Sequence, residues 1–299
     1  MSKTLIIIVG PTGIGKTSTA INIANSYNTE IISADSRQIF KELNIGTATP
    51  TSEELSQAKH HMIATHSIKD YYSAWEFEQD VMKLSIQLFD KHDTLVLTGG
   101  SMMYVDAVCK GIDDLPTIDE ELRNSLKAQY EKEGIENIRR QLKKLDPEFY
   151  DIVDLKNHKR VIHAVEICLM TGKPYSSLRT NSIKKRPFNM IKIGLTMDRA
   201  DLYERINLRV DKMFEAGLED EVKRVYPLKE LNSLNTVGYK ELFAHYDGEY
   251  NFEKAIELIK RNSRRYAKKQ LTWFKRDAEI TWFNPSDIEE IKKHIEKQL

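Results

Sequence analysis

The chain has 299 residues, 40% apolar and 30% charged, and its 45 Lys and Arg are balanced by 45 Asp and Glu. This is the composition of a globular protein of one large or two modest domains, with no net pull toward nucleic acid or membrane, so any polyanion must be held by local patches. No apolar run approaches the ~18 residues of a membrane span, the start MSKTLIIIVGP carries no cleavage signal, and Cys109 and Cys168 stand alone without CxxC or HExxH, so a spanning, secreted, disulfide-built or zinc-built protein is not expected.

In chain order, residues 5–9 (LIIIV) predict a strand that runs into Gly10-Pro11-Thr12-Gly13-Ile14-Gly15-Lys16-Thr17, after which Ala20, Ile23 and Ala24 begin a helix. Residues 30–33 predict a second strand, ending at Asp35. Phe77, Val81, Leu84 and Leu88 recur at helical spacing behind a capping box of Ser73 and Glu76. Further strands are expected at 94–98, 192–196 and 279–283. The alternation predicts an α/β fold with a mostly parallel sheet flanked by helices. Residues 115–187 break the pattern with three helical periods: Leu122, Leu126 and Tyr130; Ile135, Ile138, Leu142 and Leu145; and Val161, Val165 and Leu169, the last stopped at Gly172. This stretch reads as an all-helical insertion.

Residues 10–17 fit GxxxxGK[ST] in its proper setting between a strand and a helix. The glycines let backbone N–H groups turn onto phosphate oxygens, Lys16 adds charge, and the Thr17 hydroxyl can ligate Mg²⁺. An ATPase or GTPase would place an acid after the next apolar strand, yet 94–98 lead into Gly99-Gly100-Ser101. That leaves nucleotide kinases and enzymes with a diphosphate leaving group. Asp35 ends the second strand, where ligand crevices of doubly wound sheets lie. Beside a diphosphate a carboxylate has a proton to take or a metal to hold; the alternative is that Asp35 or Ser36 caps the next helix. Gln38 has the donor and acceptor pair that can read an adenine edge.

These motifs occur with GTATPT (46–51), HHMI (60–63), LYERINLRV (202–210), GL (217–218), VGYKE (237–241) and RRYAKKQLTWF (264–274). In that order, along almost the whole chain, the sequence resembles the bacterial tRNA dimethylallyltransferases, also called tRNA isopentenyltransferases. The resemblance implies a P-loop NTPase-like core over 1–114 and 188–299, and an insertion over 115–187 that contacts tRNA. It implies transfer of a dimethylallyl group from its diphosphate to the exocyclic N6 of the adenosine 3′-adjacent to the anticodon. Asp35 becomes the general base; Gly10, Pro11, Thr12, Gly13, Ile14, Gly15, Lys16 and Thr17 hold the diphosphate, with Mg²⁺ on Thr17. Lys16 and Arg209 stabilise the leaving group, Arg205 on the same face being able to share the role, and Ser101 contacts the amine or a phosphate. The tRNA anticodon stem-loop falls to Asp35, Ser36, Arg37, Gln38, Ser101, Arg123, Lys159, Arg160, Val161, Ile162 and His163. The expected partners are tRNA and dimethylallyl diphosphate, without a membrane; a cytoplasmic monomer is expected.

Two departures stand out. The family's GGTGLY is GGSMMY here, bringing in Met102 and Met103, which could narrow the passage between donor and base. His163 replaces an arginine of NxRRVxRALE. Eight basic residues and no acid lie between 260 and 276, with Tyr266, Trp273 and Phe274 among them, which reads as a local polyanion patch or as a solvated helix face. The competing functions are prenyl transfer to free adenine nucleotides, for which the insertion and basic helix are surplus, a small-molecule kinase, and a non-enzymatic RNA-binding module.

Overall fold

The computed structural model describes residues 3–116, 119–180 and 182–299; residues 117, 118 and 181 of the expected insertion lie outside the described residues. Among these, β1 (Thr4–Val9), β2 (Ile31–Ser33), β3 (His60–His61), β4 (Thr94–Gly99), β5 (Asn189–Leu195) and β6 (Thr281–Phe283) form one parallel sheet in the order β3-β2-β4-β1-β5-β6. All five expected strands are present. The sixth, β3, was not expected, because two histidines carry no apolar pattern.

The run LIIIV is apolar throughout because β1 is buried on both faces, as parallel strands between helix layers are. Leu5, Ile7 and Val9 join Leu95 and Leu97 in one core, beneath Phe77 and Val81 of the helix Ala74–Phe89. Ile6 and Ile8 join Val96, Ile191 and Ile193 in the other, with Ala20 and Ile23 of the helix Lys16–Ser26 and with Leu202 and Ile206 of the helix Arg199–Glu215. The period-2 alternation of a strand thus feeds two cores. The capping box forms as expected: Ser73 Oγ accepts from Glu76 N–H and Glu76 Oε2 from Ser73 N–H. β1 is central, with β4, β2 and β3 on one side and β5 and β6 on the other, so its carboxyl end opens where ligands bind such sheets.

The chain divides into two compact units, Met1–Cys109 with Lys185–Leu299, and Lys110–Lys184. The division falls at 110 and 184 rather than 115 and 187 for a local reason. Within the second unit Lys184 N–H donates to Lys110 O at 2.8 Å, and Thr180 Oγ1 donates to Asp113 at 2.6 Å, so both ends of the segment lie side by side. In the first unit Arg186 donates to Glu78 Oε1 and to the carbonyls of Ala107 and Val108. The second unit is helical: Glu120–Glu133, Ile135–Leu145, Pro147–Ile152, His158–Thr171 and Tyr175–Leu178. Its own core contains Leu126, Ile138, Leu142, Phe149, Val161 and Val165. The two shortest helices were not expected. The buried carboxylate of Asp146 holds both, accepting from Phe149 N–H, Ser176 N–H and Ser176 Oγ–H. Among the described residues no helix is long and apolar enough to cross a membrane.

Candidate active site

The phosphate loop leaves β1 at Val9 and turns into the helix Lys16–Ser26. Gly13 has φ +81°, and a Cβ there would meet Ile206 Cγ1 at 2.9 Å, so both backbone and packing require glycine. Gly15 precedes the helix in the left-handed region, and no side chain caps it. Its first-turn N–H groups are therefore left for an anion. Three side chains hold the loop's shape. Lys16 Nζ donates to Pro11 O at 2.8 Å, Arg205 Nε to Gly13 O at 3.1 Å, and Thr12 N–H donates to Gln270 Oε1 at 2.8 Å.

Asp35 follows β2, and its Oδ1 accepts from Arg37 N–H at 2.9 Å and Gln38 N–H at 3.3 Å. This caps a turn, not a helix, and leaves Oδ2 without a hydrogen-bond partner among the described residues. After β4, Ser101 Oγ accepts from Ser36 N–H at 2.8 Å and donates to Ser36 Oγ at 3.0 Å, binding the two strand ends together. Asp35, Ser36, Arg37, Ser101, Thr12 and Arg209 line one cavity of about 540 Å³, with Tyr266 and the apolar side chains of Ile206, Val210, Met213, Leu218, Val237 and Ile259.

Its electrostatics are those of an anion site. Burial, then the Arg209 charge, pulls the Lys16 ammonium down to about 8, against an opposing pull from Asp35. Burial also lowers Arg209 and Arg37, in each case with Asp35 opposing. The Arg209 and Arg37 side chains have no hydrogen-bond or ion-pair partner among the described residues. Tyr266 is raised to about 12 by burial and by Asp35, beside Ser101. Three cations that share one nearby carboxylate, Asp35, leave an excess of positive charge that favours a polyanionic ligand. Thr17 sits in the first helical turn, its hydroxyl free of protein partners, and no group of three or more His, Cys, Asp or Glu among the described residues could hold a metal alone. That donor set fits Mg²⁺, which keeps several waters and shares itself between one or two protein oxygens and substrate phosphates.

Arg205 and Arg209, four residues apart, divide their work: the first supports the loop and the second faces the cavity. Gln38 is committed internally, donating to Thr47 O and Ala48 O and accepting from Ser33, so an adenine edge would have to compete for it. Met102 packs on the core and Met103 is 53% exposed; neither lines the cavity. The basic helix Phe252–Phe274 also divides. Lys260 pairs with Asp211, and Arg264 donates to Asn207 Oδ1, while Arg265 and Lys269 line the cavity without hydrogen-bond or ion-pair partners among the described residues. Phe274 is core, and Trp273 Nε1 donates to Asp106, so these two aromatics are not base platforms.

In the helical unit Lys159 and Arg160 are exposed. Val161 and Ile162, at 0% and 8% exposure, pack their side chains into the unit's own core, which leaves the side-chain contacts of this stretch to Lys159 and Arg160. Arg123 binds the buried carboxylate of Glu166 through Nε at 3.0 Å, and His163 Nδ1 lies 3.5 Å from the same group. Sequence reasoning missed three residues. Gln270 was read only as part of a basic motif. Glu221, 1% exposed, accepts from the N–H groups of Asn44, Ile45 and Gly46 and from the Tyr239 hydroxyl, and so builds the 44–47 loop beside the cavity. The signals were faint: a glutamine in a basic run, an acid in an ordinary amphipathic helix, and a tyrosine in the VGYKE stretch with no chemistry of its own.

A family model described as IPP transferase matches residues 38–277. The chain is 56% identical to a protein of Bacteroides fragilis named tRNA dimethylallyltransferase 1, over all of this chain and 99% of the relative. It is 50% identical to a tRNA dimethylallyltransferase of Christiangramia forsetii, over 99% and 97%. Among solved structures it is similar to a full-length tRNA isopentenylpyrophosphate transferase of Bacillus halodurans, with TM-score 0.73 and 37% identity over 99% and 96% of the two chains. A eukaryotic dimethylallyltransferase acting on tRNA shares the fold, with TM-score 0.80 at 23% identity over 99% of this chain and 77% of that one.

Proposed function

The chain belongs to the IPP transferase family, the tRNA dimethylallyltransferases, and from that premise we propose how its residues carry the reaction. A dimethylallyl group passes from dimethylallyl diphosphate to N6 of the adenosine 3′-adjacent to the anticodon. N6 forms a bond to the allylic C1 as the C1–O bond breaks, and that electron pair leaves with the diphosphate. The N6 lone pair is delocalised into the ring, so removing its proton as the bond forms is where a carboxylate helps. Asp35 takes that proton on Oδ2. The loop amides, Lys16 and Arg209 stabilise the growing charge on the diphosphate. The Thr17 hydroxyl would help hold Mg²⁺, which would supply further charge neutralisation when bound. One observation carries the reading: Asp35, with an uncommitted oxygen, shares a cavity with Thr12 of the phosphate loop and the unpartnered Arg209.

Lys159, Arg160 and His163 of the helical unit, with Arg265 and Lys269, supply backbone contacts to the anticodon stem-loop, and the splayed adenosine is read at the cavity. A cytoplasmic site of action and a monomeric state belong to the same proposal. Incubating the protein with unmodified tRNA, dimethylallyl diphosphate and Mg²⁺ is expected to give N6-dimethylallyladenosine on nucleoside mass analysis. AMP as sole acceptor is expected to react poorly; equal rates with AMP and tRNA would instead assign it to free nucleotides.

A further inference from the structure

The Pro11–Thr12 peptide is gripped at both ends. Its carbonyl accepts from Lys16 Nζ and its N–H donates to Gln270 Oε1, each at 2.8 Å. The two groups of a trans peptide point in opposite directions, so these contacts fix the plane of one peptide in the phosphate loop. The other end of the same side chain reaches the neighbouring strand end: Gln270 Nε2 donates to Gly100 O at 2.8 Å. Gln270 is 2% exposed although it lies in a basic stretch of its helix. A buried amide is tolerable only with both ends bonded, and here each end is bonded to a different active-site loop. The fit is close, since a Cβ on Gly100 would lie 2.3 Å from Gln270 Nε2 and 3.5 Å from Lys16 Nζ.

We propose that Gln270 is a positioning residue for prenyl transfer, locking the diphosphate loop to the turn that carries Ser101 and, through Ser36, the Asp35 turn. The inference rests on the reaction assigned above. A continuous line of contacts, Thr12 to Gln270 to Gly100, then Ser101 to Ser36, spans the distance between leaving-group cradle and base. When a diphosphate draws the Lys16 ammonium away from Pro11 O, that carbonyl keeps the long contact from Ile14 N–H at 3.4 Å, and Gln270, at 2.8 Å, is the shorter hold on the peptide plane. It also takes Thr12 N–H out of the anion site, leaving the phosphate oxygens to the amides from Gly13 onward.

The test compares Gln270→Leu, Gln270→Glu and Gly100→Ala with the wild type in the full chain. It measures kcat, KM for tRNA and for dimethylallyl diphosphate, affinity for inorganic diphosphate, and melting temperature. Gln270→Leu is expected to lose kcat by ~10²-fold at every pH from 6 to 8, the scale of a misplacement of about 1 Å, with KM for tRNA little changed. Gln270→Glu is expected to show the same loss at pH 8 and to recover part of it toward pH 6, because the protonated acid regains a donor for Gly100 O. Gly100→Ala, which presses on the amide from the other side, is expected to share the kcat loss and keeps the test alive if the leucine variant does not fold. A lowered melting temperature with kcat within about twofold of wild type, a defect confined to KM for tRNA, or a glutamate profile as flat as the leucine one would overturn the proposal. A wild type that leaves tRNA unmodified would sink the reaction itself, and weakened diphosphate binding in the variants would then still stand as a separate result.

Discussion

The two oxygens of Asp35 have separate roles, which makes its chemistry separable from its packing. Oδ1 caps the turn through Arg37 and Gln38, and asparagine can still accept those bonds. Asp35→Asn is therefore expected to melt within a few degrees of the wild type while kcat falls by ~10²–10⁴-fold, the range of general-base catalysis; a variant with near-normal turnover would remove the base. Lys16 gives a pH signature. Its ammonium is held down to about 8 by burial and by Arg209, so the free site loses that charge as pH rises through this value. A bound diphosphate stabilises the protonated form, so affinity for inorganic diphosphate is expected to weaken from pH 7 to pH 9.5. Lys16→Arg, which does not deprotonate, is expected to flatten that trend relative to the wild type in paired calorimetric titrations.

The 44–47 loop has almost no regular structure and is shaped by a carboxylate far away in sequence. Glu221→Gln puts an N–H₂ group among donors and is expected to cost about 1–3 kcal/mol in urea unfolding, whereas Tyr239→Phe, which removes one of the four donors, is expected to cost less. The same contrast explains what could be read beforehand. The phosphate loop and the Asp35 turn were legible because each is a local motif joined to an apolar run, and strand ends of a parallel sheet converge. The helices with a clear apolar period were legible too. Glu221 and Gln270 were not, since their backbone partners lie 175–177 and 170–258 residues away and leave no local period. Val161 and Ile162 show the limit of a motif: it does not separate the exposed side chains of Lys159 and Arg160 from the apolar ones beside them that face the unit's own core.

Across the whole molecule, positive charge is uneven although the total is zero. Unpartnered Arg37, Arg209, Arg265 and Lys269 gather at the cavity, and Lys159 and Arg160 stand on the surface of the helical unit. Replacing Lys159 and Arg160 by alanine is expected to lower tRNA affinity and reduce the slope of log K against log salt by roughly one to two, while leaving affinity for inorganic diphosphate unchanged. Titrations from 50 to 200 mM salt would check this. Finally, the first and last residues of the helical unit meet, Lys184 N–H donating to Lys110 O, and the unit has a hydrophobic interior of its own. A segment whose two ends meet can be exchanged, lengthened or trimmed without rethreading the sheet. Under the tRNA-holding role proposed for this unit, such a layout lets the repertoire of accepted RNAs diversify among descendants while the allyl-transfer chemistry stays as it was.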